Sequence, residues 1–421
     1  MVKRFALICA MAVPGALFAA GSAASAHDRL GATLWASPGG TGAACTRWAP
    51  CSLTEAVSVA GDGATVNALP GVYAGGVVID KRLALRGFGA VLDASTSPAG
   101  NGVQIAGPGG SGSSVAGFKI ENARFEGILV GTAPVDPSTT DGTPVTSGAP
   151  VADVRIDHNI VTGNDTGFGS TAGQCFTTPQ APGDCGEAIH LVAVTDSVVS
   201  DNYVANNAGG ILMTDEFGPT ADNVVRDNYS ANNTDDCGIT LAGHNSAAVN
   251  PATGQPTGAA GVFDNLIEGN VSIGNGVAGQ GAGILMGGGA PFAGVYGNVI
   301  RGNFTHGDGL SGVTIHQHLV GDLNGNVVED NTLSHDNVDG DFDFAAASDS
   351  QTTGILVASG APPQAQLPPF LLPGPIKNTV IRGNRIFNDV VGIWTLGVDP
   401  GTTTIAHNFF GPGVTTPISN N

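Results

Sequence analysis

The chain has 421 residues, a net charge of −20 and only 15 Lys and Arg. So few basic residues leave no face for a phosphate backbone, and they disfavour anionic membranes and strongly anionic polysaccharides; neutral ligands or cations suit the balance better. Hydrophobic residues at 42% exclude a disordered chain, and 65 glycines with 6% aromatics suit an extended fold of tight turns around a thin aliphatic core.

The first 26 residues read as a secretory signal. Lys3 and Arg4 precede an apolar run from Phe5 to about Ala20, and Ala24-Ser25-Ala26 is a small-x-small cleavage site. Nothing later is apolar for long enough to span a bilayer. Export implies an oxidising compartment, so Cys45 with Cys51 and Cys175 with Cys185 are expected as short-loop disulfides. Cys237 is left over and is expected to be a small buried residue.

Ser52-Leu53-Thr54-Glu55 is a capping box. Leu53, Ala56, Val57 and Ala60 share one apolar face, which predicts a short amphipathic helix over 52–60. It would lie in an N-terminal cap spanning 27–63 and plug the first coil of a repetitive region.

From residue 64 the chain repeats itself. VVSDNYVANN, VVRDNYSANN, LIEGNVSIGN, VIRGNFTHGD, VVEDNTLSHD and VIRGNRIFND share an apolar pair, a Gly or Asp, an Asn, and a second Asn or Asp five residues on. The anchors are Asn202, Asn228, Asn270, Asn303, Asn331 and Asn384, with Asn159 and Asn408 opening outlying copies. Most copies are followed by a strand such as GILM at Gly210, GITL at Gly238, GILM at Gly283 or GVTI at Gly312. The shortest intervals are 24 to 28 residues, which indicates a solenoid. Short β-branched strands bounded by turn residues make it a parallel β-helix from 64 to 421. One Asn per coil can take a left-handed turn and bond the Asn one coil away, about 4.8 Å on. Insertions are expected at about 131–150, 165–186, 243–261 and 358–377.

These coils, and the segment CSLTEAV to GDGATVNALPGVYAGGVVIDKRLALRGFGA, resemble the right-handed β-helix repeats of the pectate-lyase-like superfamily. That group contains polysaccharide lyases, glycoside hydrolases, C5-epimerases and the accessory protein of nitrous-oxide reductase. The resemblance covers about 30–411 and implies an all-β, single-stranded right-handed parallel β-helix. It does not specify an activity. Asp235-Asp236 before GITL is similar to a polygalacturonase pair, but Gly243-His244-Asn245 comes within the same coil. The Lys and Arg bases of pectate-lyase-type enzymes have no match.

Aligning the Gly-Ile strands stacks Thr214-Asp215-Glu216, Ala242-Gly243-His244, Gly287-Gly288-Gly289 and His316-Gln317-His318. Carboxylates and imidazoles lining one groove can supply general acid and base, so Asp215, Glu216, His244 and His316 are the catalytic candidates, with Asp235 and Asp236 in reserve. Gln317 and His318 are candidate substrate contacts. His316 and His318, with His244 or Asp215, could also hold a divalent metal. Asp339, Asp341 and Asp343 would share one strand face, and their repulsion suggests calcium. Asp184, Glu187 and His190 form a weaker group beside the expected Cys175–Cys185 loop.

The expected function is a secreted or periplasmic monomer that cleaves or epimerises a polysaccharide or oligosaccharide of low charge, as a lyase, hydrolase or epimerase. No nucleic acid is expected as a partner. The alternative is a non-catalytic glycan- or metal-binding accessory or surface protein.

Overall fold

A computed structural model describes residues 31–131, 149–164, 166, 176–178, 181–182, 186–278, 281–340, 344, 351–361 and 366–420. The secretory leader, Asp341, Asp343, Asp184, Cys175 and Cys185 lie outside these residues.

The described chain winds into stacked coils whose strands pair in register with the next coil. One lane of 11 parallel strands carries the Gly-Ile segments, from Val77–Ile79 through Gly209–Thr214, Ile239–Gly243, Ile284–Gly288 and Val313–Gln317 to Thr416–Ser419. Two other lanes hold the repeat segments, as in Val198–Ser200 and Tyr203–Ala205, and a fourth short lane closes the coil, as in Thr220–Ala221. Alternation along each strand sends one residue in and the next out. Ile189, Ile211, Ile239, Ile284, Val313, Ile355 and Ile393 stack inside as one continuous core.

Three side-chain ladders pin the corners, not one. Along the first, Asn159, Asn202, Asn228, Asn270, Asn303, Asn331, Asn384 and Asn408 each pass an amide hydrogen to the next at 2.9–3.1 Å. A second ladder uses the Asn five residues later: Asn164, Asn207, Asn233 and Asn275, then Asp308. A third runs through Asn223, Asn265, Asn298 and Asn326. The left-handed residue is not the ladder Asn but the one before it: Asp201, Asp227, Gly269, Gly302, Asp330, Gly383 and His407 have φ between 56° and 69°. Gly and Asp tolerate that region, which leaves the Asn free to turn its amide inward.

The expected helix forms over Leu53–Val59. Ser52 accepts the Glu55 N–H, and Leu53, Ala56 and Val57 are buried. The solenoid starts earlier than 64, because Thr33–Ala36 already pairs in parallel with Ala64–Ala68. Cys45 and Cys51 form a disulfide. Cys237 is buried and free; burial pushes its thiol well above the usual range. Within the insertion at 243–261, Val249–Asn250 and Gln255–Pro256 pair as a small hairpin.

Candidate functional site

Several outward residues of the 11-stranded lane are as deeply covered as its core, although Val78 at its N-terminal end is 47% exposed. His190, Leu212, Thr214, Thr314 and Trp394 are at most 1% exposed. Parallel pairing aligns Thr214 with Ala242, Ala242 with Gly287, and Gly287 with His316. The triple glycine therefore lies between the His244 coil and the His316 coil.

At the exit of the Gly209–Thr214 strand, Asp215 is fully enclosed. Its Oδ1 accepts the backbone N–H of His244 at 2.6 Å and of Asn245 at 3.0 Å. Asn245 Nδ2 returns bonds to the Asp215 and Glu216 carbonyls. Asp215 is thus a fastener between two turns, and its other oxygen is buried without a partner. Burial, with the neighbouring Glu216 charge, pushes its carboxyl up to about 7. It does not face a groove, contrary to the expectation of direct acid or base work.

Glu216 is different. Its Oε1 lies 2.7 Å from His244 Nδ1, and both side chains are about a quarter exposed, 22% and 26%. Burial opposes its charge, but the His244 imidazole, His190 and the Thr214 hydroxyl outweigh it and hold the carboxyl down at about 2. No full hydrogen bond reaches the buried Oε2. An ionised carboxylate at Nδ1 makes that nitrogen the donor.

His244 leans over the glycine strip. A Cβ on Gly289 would lie 3.0 Å from His244 Cδ2 and 3.4 Å from Nε2. One on Gly287 would lie 3.3 Å from His316 Cδ2 and Nε2. A side chain at 287 would crowd the His316 ring and one at 289 the His244 ring, so these two glycines keep the positions between the imidazoles clear, while Gly288 faces Leu323 and Ala293. Beyond His316, His318 stacks on Phe344 at 4.7 Å and bonds the Gly360 carbonyl through Nδ1.

Other candidates lie elsewhere. Gln317 points into the coil, where Nε2 bonds Ser359 and the Gly374 carbonyl; neighbours on a strand face opposite ways, so it cannot share the face of His316 and His318. Asp235 and Asp236 sit at the entry of the Ile239–Gly243 strand, a strand length of about 16 Å from the His244 end. The Asp236 carboxylate accepts the Cys237 N–H. Among the described residues, no three His, Cys, Asp or Glu side chains converge on a metal position, so the His316, His318 and His244 ligand set does not assemble. Asp339 is half-buried, and burial pushes it up to about 6.

Glu126 carries no sequence signal of its own. It is fully buried, 3.4 Å from His190 Nδ1, while His190 Nε2 lies 2.9 Å from Thr214 Oγ1. Only the Gly127-Ile128 strand start beside it places it on this face.

Residues 140–311 match a family described as periplasmic copper-binding protein (NosD). No curated protein matches the chain in sequence. Among solved structures, the A-module of the mannuronan C-5 epimerase AlgE6 of Azotobacter vinelandii has a TM-score of 0.54 at 16% identity, covering 90% of this chain and 91% of that one. An alginate lyase from Paenibacillus sp. str. FPU-7 has 0.46 at 13% identity, covering 93% and 98%. Pectate lyase Pel9A has 0.43 at 12% identity, covering 90% and 80%. The chain has the right-handed parallel β-helix fold. Among the described residues no helix is long and apolar enough to cross a membrane.

Proposed function

We propose that the protein is an exported carbohydrate-active enzyme in which His244 is the base and Glu216 orients it. The observation that supports this is the 2.7 Å Glu216–His244 contact at the mouth of a glycine-floored space. A carboxylate hydrogen-bonded to one ring nitrogen of an imidazole is the pairing of a base with its orienter. His316, two coils on, is placed to exchange a proton on the far side of that space.

Hydrolysis by two carboxylates flanking one bond has little support. Asp215 is buried and Glu216 is committed to His244. Proton abstraction from a sugar ring carbon, leading to elimination or epimerisation, fits imidazoles better. With a net charge of −20 and few cations to pair a substrate carboxylate, the substrate is read as a glycan of low charge. An esterified uronate would combine an acidified ring proton with no charge.

The test is a glycan panel on the mature protein, with and without calcium. It reads reducing ends, unsaturated products and inverted sugars, with His244→Ala as control. Products lost in the variant support the reading; products unchanged in it move the site; none from any glycan removes the enzyme.

The second reading is an accessory protein. It is favoured by the family match over 140–311, a stretch that includes Glu216 and His244. Among the described residues, no three His, Cys, Asp or Glu side chains converge on a position that could hold copper. Asp339, Asp341 and Asp343 are the carboxylates that would hold calcium.

A further inference from the structure

On a different lane from the Glu216–His244 pair, the repeat segments stack outward aromatic residues along the solenoid. Register places Tyr203, Tyr229, Val271, Phe304, Thr332 and Arg385 in one column. The Tyr203 and Tyr229 rings stack at 5.3 Å, within 7° of parallel. A second outward column beside it runs from His306 through Ser334 to Phe387. Both columns break at the same coil, where Thr332 and Ser334 are small. Stacking between coils accounts for the tyrosine pair. It does not account for the break, which leaves Phe304 37% exposed.

The break opens a cleft of about 560 Å³. Phe304 and His306 make one wall, their rings 6.4 Å apart and 26° from parallel. Phe387 makes the other, backed by the Phe409 ring at 5.7 Å and by the Arg385 guanidinium. Thr332 and Ser334 form the floor. The walls stand two coils apart, about 9.6 Å. A ring in carbon contact with both needs about 4 Å on each side, so the gap takes one six-membered ring and not two.

Polar atoms surround that gap. His306 Nδ1 donates to the Ser334 carbonyl at 2.9 Å, so in the neutral ring Nε2 is an acceptor. Ser334 Oγ accepts Asn388 Nδ2 at 3.0 Å and keeps its own proton to donate. Thr332 adds a second hydroxyl. No carboxylate, lysine or arginine lines the cleft. An aromatic face carries partial negative charge and attracts C–H hydrogens. A pyranose offers C–H groups on its faces and hydroxyls at its rim, so it satisfies walls and floor together. A purely aromatic ligand would cover the walls and leave the hydroxyls unpaired, and an ion would find no fixed counter-charge.

We propose that this cleft binds one pyranose ring of a glycan of low charge, stacked between Phe304 with His306 and Phe387, and hydrogen-bonded by Thr332, Ser334 and His306. It is a binding site only, on another face from the Glu216–His244 pair, and it does not depend on reading His244 as a base.

The experiment follows the nitrogen-15 resonances of the His306 ring in the mature protein during titration with neutral gluco-, manno-, xylo- and galacto-oligosaccharides, and with phenol as an aromatic probe. At least one saccharide should move the His306 signals saturably. Thr332→Phe continues the aromatic column and fills the gap, so it should abolish the shift. Phe387→Ala should weaken binding about tenfold, and His244→Ala should leave it unchanged. Thermal unfolding confirms that each variant folds; if Thr332→Phe does not, Phe387→Ala decides. The cleft reading is overturned if no saccharide moves His306, if the shift survives in folded Thr332→Phe or is as strong in Phe387→Ala, or if phenol binds there and saccharides do not. Glycan products without a His306 shift remove this site and keep the enzyme; a shift without products keeps the site and removes the enzyme.

Discussion

Asn275 donates both its backbone N–H, at 2.8 Å, and its side-chain amide, at 3.1 Å, to the same oxygen of Asp308. Asp308 in turn gives its N–H to Asp336 Oδ1, and Asp336 gives its own to Asp389 Oδ1. Three carboxyls thus continue a ladder of amides, one per coil, and they are too close for all to be ionised.

Burial pushes Asp308 and Asp389 up to about 7, and Asp336 well above the usual range, where the two flanking carboxyls add to the effect. The fold holds these protons more tightly than the unfolded chain does. Stability from this source is therefore full below about pH 4 and lost as pH rises through about 7. Asp308→Asn extends the amide ladder without a proton to lose. Denaturant unfolding should show it more stable than wild type by about 2 kcal/mol at pH 8 and nearly equal to it at pH 4. Equal gains at both pH values would remove the carboxyl explanation.

Asn228 sits mid-ladder. It accepts from the Asn202 backbone and amide and donates to Asn270 and to the Val199 carbonyl. Asn228→Ala orphans buried groups on both sides and should cost about 3 kcal/mol, seen as a lower unfolding midpoint. An exposed Asn such as Asn250 should change it little.

If a glycan substrate is found, His244→Ala should lower kcat by roughly 100-fold or more, and Glu216→Gln by roughly 10-fold to 100-fold, with KM little changed. Gly289→Ala puts a methyl 3.0 Å from His244 Cδ2 and should also lower kcat while leaving the unfolding midpoint in place. Activity that survives all three would place the chemistry elsewhere.

Calcium, if it binds at Asp339, Asp341 and Asp343, should raise the unfolding temperature in a dose-dependent way that Asp339→Asn abolishes. Calorimetry showing no heat on adding calcium, and no change on adding a chelator, would count against it.

The coil register is legible because Gly-Ile recurs at the head of each strand. Aligning those heads puts Thr214, Ala242, Gly287 and His316 in one column, as the pairing does. The facing of Gln317 is equally available from alternation, since His316 and His318 cannot both face out unless it faces in. Anything set by a turn's path is hidden. Asp215 fastens the His244 turn only because both chains bend at the same corner. Glu126 reaches His190 across 64 residues of sequence, a stretch that includes two of the insertions, and no motif marks it.

The amide ladders also have a polarity. Every rung passes hydrogen from an earlier coil to an oxygen of a later one, so the amide dipoles line up along the solenoid as peptide dipoles do in a helix. The hydrogen-rich ends all face the C-terminal coils. A carboxylate can receive such a hydrogen but has no side-chain hydrogen to pass on while ionised. It therefore breaks the line if placed early and terminates it if placed late. The change from Asn275 to Asp308, Asp336 and Asp389 falls at that receiving end, where the field of the aligned amides favours negative charge. Inverting the order, with Asp at 207 and Asn at 389, would set the same side chains against the direction of the stack.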